Sequence, residues 1–341
     1  MPELRRDPVV GRWVIISKER SKRPKDLIVE ISEDNRSGYH DCDFCQNRQD
    51  YKEIVSIRDV SVKDKFYVMA TPRKNHLLCI EGDVNRRGKG LYDVMEGIGA
   101  HELVIETPEH ILNMADLALE QIDKVFSVFT MRIKELSQDE RLKYVMIYKN
   151  YTPDLSKNTI LHSRSNIMAM PVNPKRVKEK LIGAKAYYGY HERCVFCDII
   201  RQEREMQVRV ADENDDFIAL SAFAGRFPFE MLILPKEHNA DFHRCLPEKF
   251  RSLSAILKSV LQRLKLGLND PAYSMVLFSA PFRRGHLRKP TSTLDLDFHW
   301  HIEIMPQLTR TAGFEWGSGF YINPMPPEDA AKFLKNIEVK L

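Results

Sequence analysis

No stretch of the 341 residues is apolar for long enough to cross a bilayer; the run around Phe217 to Ala224 is among the longest. The start, Met1 to Arg6, carries no apolar segment behind a basic opening, and neither end bears a lipidation motif. A cytoplasmic location away from membranes is therefore expected. No sign of charge dominates either: 52 Lys and Arg face 48 Asp and Glu, a net charge of +4. A nucleic-acid binder shows a denser basic stripe, so such a partner is not expected. Small anionic substrates fit this balance, because a few placed arginines suffice for them. With 43% hydrophobic and 29% charged residues the chain is globular, and its length suits two domains or one large one.

Cysteine is scarce but patterned. Four of the six form the pairs Cys42-x-x-Cys45 and Cys194-x-x-Cys197, while Cys79 and Cys245 stand alone. A secreted disulfide scaffold does not suit this length and start. Two CxxC pairs in an intracellular chain point to metal, with incidental thiols or redox chemistry as the alternatives. A thioredoxin-like site needs a CxxC that opens a βαβ unit, and neither pair does so.

The two pairs lead into similar sequence. An apolar strand ends in Pro and leads to a histidine: His101-Glu-Leu-Val-Ile-Glu-Thr-Pro-Glu-His110, then Glu230-Met-Leu-Ile-Leu-Pro-Lys-Glu-His238. Amphipathic helices are predicted next, over about Ala115–Leu136 and Pro247–Leu266, from apolar residues at i, i+3 and i+4. A strand, a loop and a second histidine come after each helix, at His162 and His299. The matched order makes a duplicated unit the better reading, with the seam near Pro174 and halves of 1–173 and 174–341. Zinc takes four thiolate or imidazole ligands in a closed site. Cys42, Cys45, His110 and His162 make one such set, and Cys194, Cys197, His238 and His299 the other, so two zinc ions per chain are expected. The remaining histidines, at 40, 76, 101, 191, 243 and 286, read as surface or ordinary structural ones. Gly82–Gly90 and Gly285–Pro290 read as basic, exposed loops.

Longer motifs carry a resemblance. The opening Glu3-Leu-Arg-Arg-Asp-Pro-Val-Val-Gly-Arg-Trp-Val-Ile-Ile16, the run Glu19-Arg-Ser-Lys-Arg-Pro24, Phe298-His-Trp-His-Ile-Glu-Ile304 and Leu308-Thr-Arg-Thr-Ala-Gly-Phe-Glu-Trp-Gly-Ser-Gly-Phe-Tyr-Ile-Asn-Pro324 resemble galactose-1-phosphate uridylyltransferases of the histidine-triad superfamily. The resemblance covers nearly the whole chain. It implies an α+β fold of two tandem histidine-triad-like halves, each an antiparallel sheet with helices, and a homodimer whose sites draw on both chains. It implies uridylyl transfer between a UDP-hexose and a hexose 1-phosphate through a nucleotidyl-histidine. It assigns zinc to the first Cys/His set and a metal-ligand role to His299. It places Arg20 and Arg23 near nucleotide phosphates, Asn150 and Thr159 as phosphate-positioning residues, and Phe314 and Glu315 against the sugar. Relatives that bind iron in the second half use a histidine where this chain has Phe278.

One motif departs from the family pattern. Where the family has His-Pro-His or His-Ser-His, a small residue and Gln, this chain has His162-Ser163-Arg164-Ser165-Asn166. The nucleophile position is Arg164, the supporting glutamine is Asn166, and an asparagine that comes after Pro72 in the family is Arg73. A guanidinium has no acceptor lone pair at neutral pH, so Arg164 cannot carry a nucleotidyl group, yet it binds phosphate oxygens well. His301, the equivalent residue of the second half, is a weak substitute nucleophile. Two functions stay open: nucleotidyl transfer without the usual intermediate, and a catalytically inactive relative that binds a nucleotide sugar or sugar phosphate.

Overall fold

The computed structural model describes residues 1–17, 24–28, 42–58, 66–153, 161–284 and 292–340. Among these the strands are β1 (Glu3–Arg6), β2 (Trp13–Ile16), β3 (Val55–Arg58), β4 (Phe66–Pro72), β5 (Arg87–Lys89), β6 (Tyr92–Val94), β7 (Ala100–Ile105), β8 (Tyr144–Tyr151), β9 (Arg164–Met170), β10 (Val210–Glu213), β11 (Phe217–Ser221), β12 (Met231–Pro235), β13 (Tyr273–Phe278), β14 (His301–Pro306) and β15 (Tyr321–Asn323). The helices are α1 (Asp43–Gln46), α2 (Leu119–Leu136), α3 (Lys175–His191), α4 (Val195–Met206), α5 (Phe250–Leu268), α6 (Leu294–Asp297), α7 (Gly313–Ser318) and α8 (Pro327–Lys335). The fold is α+β, as expected.

Ten strands form one antiparallel sheet in the order β10-β11-β12-β14-β13-β8-β9-β7-β4-β3. Read inward from each edge, β3-β4-β7-β9-β8 matches β10-β11-β12-β14-β13 place for place. The two series meet at β8 and β13, where Tyr151 pairs with Tyr273 and Ile147 with Leu277. The duplication seen in the order of motifs is therefore also a duplication of strand order. The seam near Pro174 falls between β9 and α3. Residues 1–17 join the end of the second half instead, since β2 pairs in parallel with β15.

Strand alternation divides the sheet into two unlike faces. Val145, Ile147, Ile167, Met275, Leu277, Ile302 and Ile304 point to one side and share a core with the apolar stripes of α2 and α5. Ile122, Val125, Phe126 and Phe129 of α2 and Leu253, Leu257, Val260 and Leu264 of α5 are buried in it. Each such side chain contributes about 1.5–3 kcal/mol by leaving water. The core runs without a break beneath both halves. Both helices start later than their apolar spacing suggests, because a 3-10 turn precedes each, Met114–Asp116 and Pro247–Lys249. The Asn113 side chain accepts from Ala115 N (3.0 Å), which secures the first turn.

The other face carries His101, Tyr148, Asn150, Arg164 and Asn166 in the first half, and Phe278, His301 and Glu303 in the second. There α3 lies over the second half and reaches the first only at Tyr144, Met146 and Met170, the ends of β8 and β9 away from Arg164. Val9 crosses it at Gly183, where a Cβ would stand 1.6 Å from Val9 O, so only glycine permits that approach. The expected loop at Gly82–Gly90 is instead partly a hairpin of β5 and β6 turning at Gly90 (φ +61°). Its basic residues are exposed, and its two arginines are paired, Arg86 with Asp93 and Arg87 with Glu96. Gly285–Pro290 lies outside the described residues. No helix among the described residues is long and apolar enough to cross a membrane.

Candidate functional site

Each CxxC opens a helix. Cys42 and Cys194 are the caps of α1 and α4, and Cys45 and Cys197 lie in the first turn, so the turn aims both sulfurs to one side. The histidines come from adjacent strands: His110 comes after β7 and His162 precedes β9, while His238 comes after β12 and His299 precedes β14. In both quartets all four ligand atoms lie within 4.8 Å of one another. Cys45 Sγ is 3.4 Å from His110 Nδ1 and 3.5 Å from His162 Nδ1, and Cys42 Sγ is 3.9 Å from His162 Nδ1. In the second quartet Cys197 Sγ is 3.4 Å from His238 Nδ1 and 3.7 Å from His299 Nδ1.

These residues fit a zinc ion. Bonds of about 2.3 Å to sulfur and about 2.0–2.1 Å to nitrogen at a tetrahedral angle put S and N about 3.6 Å apart. Three imidazoles turn Nε2 to a backbone carbonyl: His162 to Thr107 O (2.7 Å), His238 to Asp295 O (2.9 Å) and His299 to Pro235 O (2.9 Å). A proton held there leaves the Nδ1 lone pair facing the sulfurs, which is the ligating tautomer. Burial, and then Cys42 beside it, push the Cys45 thiol up to about 12. A divalent cation reverses that preference by stabilising the thiolate.

Beside the first quartet, β9 turns Arg164 and Asn166 to the face that α3 leaves uncovered. Arg73 Nη1 donates to Asn166 Oδ1 (2.7 Å). Arg164 Nη1 donates to His162 O (3.3 Å). Burial first, and then the like charge of Arg73, lower the Arg164 pKa from its usual value. Two guanidiniums close enough to repel one another favour an anion beside them. Asn150 stands on the neighbouring strand and accepts from Ser274 Oγ (2.9 Å). A small recess joins Asn150, Arg164 and His162 to Lys149 and Leu161.

Support for this face comes from beneath. Ser163 and Ser165 alternate with Arg164 and turn inward, where both hydroxyls bond to the Glu106 carboxylate. Lys149 Nζ donates to Glu106 Oε2 (2.7 Å), Ser163 Oγ (3.1 Å) and Arg164 O (3.1 Å). Lys149 and Glu106 are both buried. Motif spacing does not reveal this pair, although a lysine on the inward register of Val145, Ile147, Lys149 and Tyr151 is a readable signal. His101, expected to be an ordinary histidine, is buried on the same face as Arg164 and accepts at Nδ1 from Leu77 N (3.2 Å). His76 and His191 are exposed. His40 and His286 lie outside the described residues.

The equivalent place in the second half is filled. His301 is buried, stacks on Phe278 (centroids 5.1 Å apart, 20°) and lies against Phe196 (5.0 Å). Its Nε2 accepts from Lys180 Nζ (3.0 Å), and its Nδ1 faces His299 O (2.9 Å). Burial, with Lys180 beside it, pulls the imidazole down to about 3. A nucleophile needs a lone pair that meets substrate, and the Lys180 ammonium occupies this one. Trp300 and Ile302 point to the opposite face, as strand period requires. Phe278 fills the space that Asn150 leaves open in the first half.

Phe314 and Glu315 lie on α7, away from that recess. Glu315 accepts from Ala312 N (3.1 Å) and lines a groove with Arg226, Phe227 and Tyr321. Arg20, Arg23 and Thr159 lie outside the described residues.

Comparison with known proteins agrees with this geometry. The family models for the N-terminal and C-terminal domains of galactose-1-phosphate uridyl transferase match residues 1–152 and 181–330. An ADP-glucose phosphorylase of Arabidopsis thaliana is 32% identical over 340 residues, which cover 99% of this chain and 93% of that protein. A galactose-1-phosphate uridylyltransferase of Thermotoga maritima is 29% identical over 348 residues, the full length of both. The crystal structure of an Arabidopsis thaliana ADP-glucose phosphorylase with bound ADP-glucose superposes with a TM-score of 0.81 at 30% identity, covering 99% of this chain and 100% of that one. The chain belongs to the galactose-1-phosphate uridylyltransferase family.

Proposed function

We propose that this chain binds a nucleotide sugar with its phosphates on the Arg164 face of the first half, and transfers the nucleotidyl group directly to a phosphate acceptor. The observation that carries this reading is the Arg164–Arg73 pair at the nucleophile position. Two half-buried cations near one another suit a site that holds anionic substrates together. An oxygen of the acceptor, a hexose 1-phosphate or inorganic phosphate, attacks the α-phosphorus of the nucleotide sugar. A new P–O bond forms there as the P–O bond to the sugar phosphate breaks, and the leaving oxygen departs as a phosphate anion. Such a displacement needs positioning and charge neutralisation and no protein nucleophile. Asn150 and Asn166 orient the phosphates, and Arg20, Arg23 and Thr159 join them by resemblance. Phe314 and Glu315 contact the sugar from a second copy of the chain in a homodimer.

Both quartets hold structural zinc in this reading, set apart from the reaction. The bound ADP-glucose of the Arabidopsis relative supports the substrate class, and the uridylyltransferase relatives support the UDP-sugar alternative. The second reading is binding without turnover, which the loss of the family's histidine favours.

The deciding experiment incubates zinc-loaded protein with UDP-glucose or ADP-glucose, together with galactose 1-phosphate or inorganic phosphate. New nucleotide product and an unmodified protein mass after acid quench are expected. A protein-bound nucleotidyl adduct would overturn direct transfer. Saturable binding without product would establish the second reading, and absence of binding would overturn both.

A further inference from the structure

The side chains of Lys149 and Glu106 form an ion pair under the Arg164 face, 1% and 0% exposed. Among the described residues they bond otherwise to three consecutive residues. Glu106 accepts from the hydroxyls of Ser163 and Ser165, and Lys149 Nζ donates to Ser163 Oγ (3.1 Å) and to the carbonyl of Arg164 (3.1 Å). Each of these bonds falls on Arg164 or on the residue to either side of it. Arg164 is the first residue of β9, where the ladder to β7 ends at the pair Ile105–Arg164. The side-chain network holds the chain at the point where the ladder stops.

The duplication supplies a control for this network. Ser165 pairs with Val104 of β7 as Ile302 pairs with Ile233 of β12, and Asn166 pairs with Tyr148 of β8 as Glu303 pairs with Val276 of β13. This register sets Glu106, Lys149, Ser163 and Ser165 at the places of Pro235, Leu277, Trp300 and Ile302. All four counterparts are apolar and buried, and Leu277, Trp300 and Ile302 belong to the core shared with α2 and α5. The sheet is thus built from apolar side chains at these places in the other half. A buried ion pair is the costlier choice: leaving water disfavours the Lys149 ammonium and lowers its pKa, although Glu106 counters this. Apolar residues of similar volume are often as stabilising or more so. Sheet stability therefore does not account for four polar residues in one half only. They occur in the half whose face stays open, directly under Arg164.

We infer that Glu106 and Lys149 are positioning residues for Arg164 in the transfer proposed above, a reading on which this inference rests. They touch no substrate. Ser163 and Ser165 turn inward to the pair while Arg164 turns outward, as strand alternation requires. The backbone of 163–165 is thereby fixed, and the guanidinium meets the phosphates from a rigid root. The end of a strand otherwise frays at little cost, and a tie to a buried pair removes that freedom. A misplacement of about 1 Å costs about a hundredfold in rate, which is the scale on which this grip acts.

The test is a double-mutant cycle on the full-length, zinc-loaded protein. One variant gives the first half the apolar character of the second: Glu106→Leu, Lys149→Leu, Ser163→Ala and Ser165→Ala together, because removing one partner alone strands a buried charge. The other is Arg164→Ala. Calorimetry measures the affinity for ADP-glucose and UDP-glucose in the wild type, in each variant and in their combination. The apolar variant should melt cooperatively and bind about tenfold more weakly than wild type, yet lose nothing further on the Arg164→Ala background. In turnover its kcat should fall about a hundredfold, well beyond the rise in KM. If the wild type binds without turnover, the affinity cycle decides alone. Should the apolar variant not fold, Ser163→Ala with Ser165→Ala keeps the ion pair and takes its place in the cycle. Equal losses on both backgrounds, or wild-type affinity and kcat in the apolar variant, would overturn the inference and leave the proposed function standing. A wild-type protein that binds neither nucleotide sugar would overturn that function, and this inference with it.

Discussion

At the scale of single residues, the proposed chemistry turns on Arg164. Its neighbours have changed with it. Asn166 is held by Arg73 at 2.7 Å, and Arg73 bears on Arg164 as a like charge. Restoring the family's residue alone would leave that altered surround in place. Arg164→His should therefore remain at least a hundredfold below family-level transfer, a deficit of about 2.7 kcal/mol in barrier. Nucleotidyl-protein mass after acid quench, together with product formation, checks this. Full transfer by the single variant would show that Asn166 and Arg73 do not shape the phosphate site.

At the scale of elements, the second half's equivalent of the uncovered face is closed by α3, and Glu303 of β14 is the fastening. Lys180 Nζ reaches it at 2.6 Å and Arg226 Nη2 at 2.6 Å, while Arg226 also pairs with Glu230. Burial raises the pKa of this carboxyl, but Lys180 and Arg226 outweigh it and hold it well below the carboxylate range. A folded-state pKa below the unfolded value stabilises the fold above the ordinary carboxylate pKa. That contribution is lost as pH falls through the lowered folded value. Glu303→Gln should cost about 3–5 kcal/mol at pH 7, since it leaves two buried cations short of a partner. The gap to wild type should narrow only below the ordinary value of 4.5. Urea titrations at pH 7 and at steps below 4.5 measure it, and a gap that is constant with pH would remove the charge from the explanation.

At the scale of the whole molecule, the two Cys/His quartets tie each short CxxC helix to the central sheet, and the ten strands share one core. Metal binding then contributes to the folding free energy of both halves together. Elemental analysis should find two zinc ions per chain. Removing both with a strong chelator should lower the melting temperature by about 5–10 °C per site, given a few kcal/mol each. Zinc restores it. One ion per chain would mean that one quartet is closed without metal. A melting temperature indifferent to chelation would leave the quartets as buried thiols.

Residue order alone reveals both Cys/His quartets, the duplication and the two long helices. Each of these is a local pattern or a repeated order, which survives without coordinates. The helix starts are less legible, because the 3-10 turns at Met114–Asp116 and Pro247–Lys249 come shortly before the helices and residue types do not tell the two backbone forms apart. The hairpin of β5 and β6 looks like a loop in the sequence because its exposed, charged residues carry no apolar alternation. Lys149, Glu106 and His101 reach the site through strand register between segments far apart in sequence, and no spacing rule encodes that. Only the tertiary structure decided which face of the sheet stays open. The same strand position holds Asn150 beside an uncovered Arg164 in one half and Phe278 stacked on a buried His301 in the other. The path of α3 over the second half makes that difference. That path depends on packing, including the close crossing of Val9 at Gly183, and packing is fixed only when the distant segments meet.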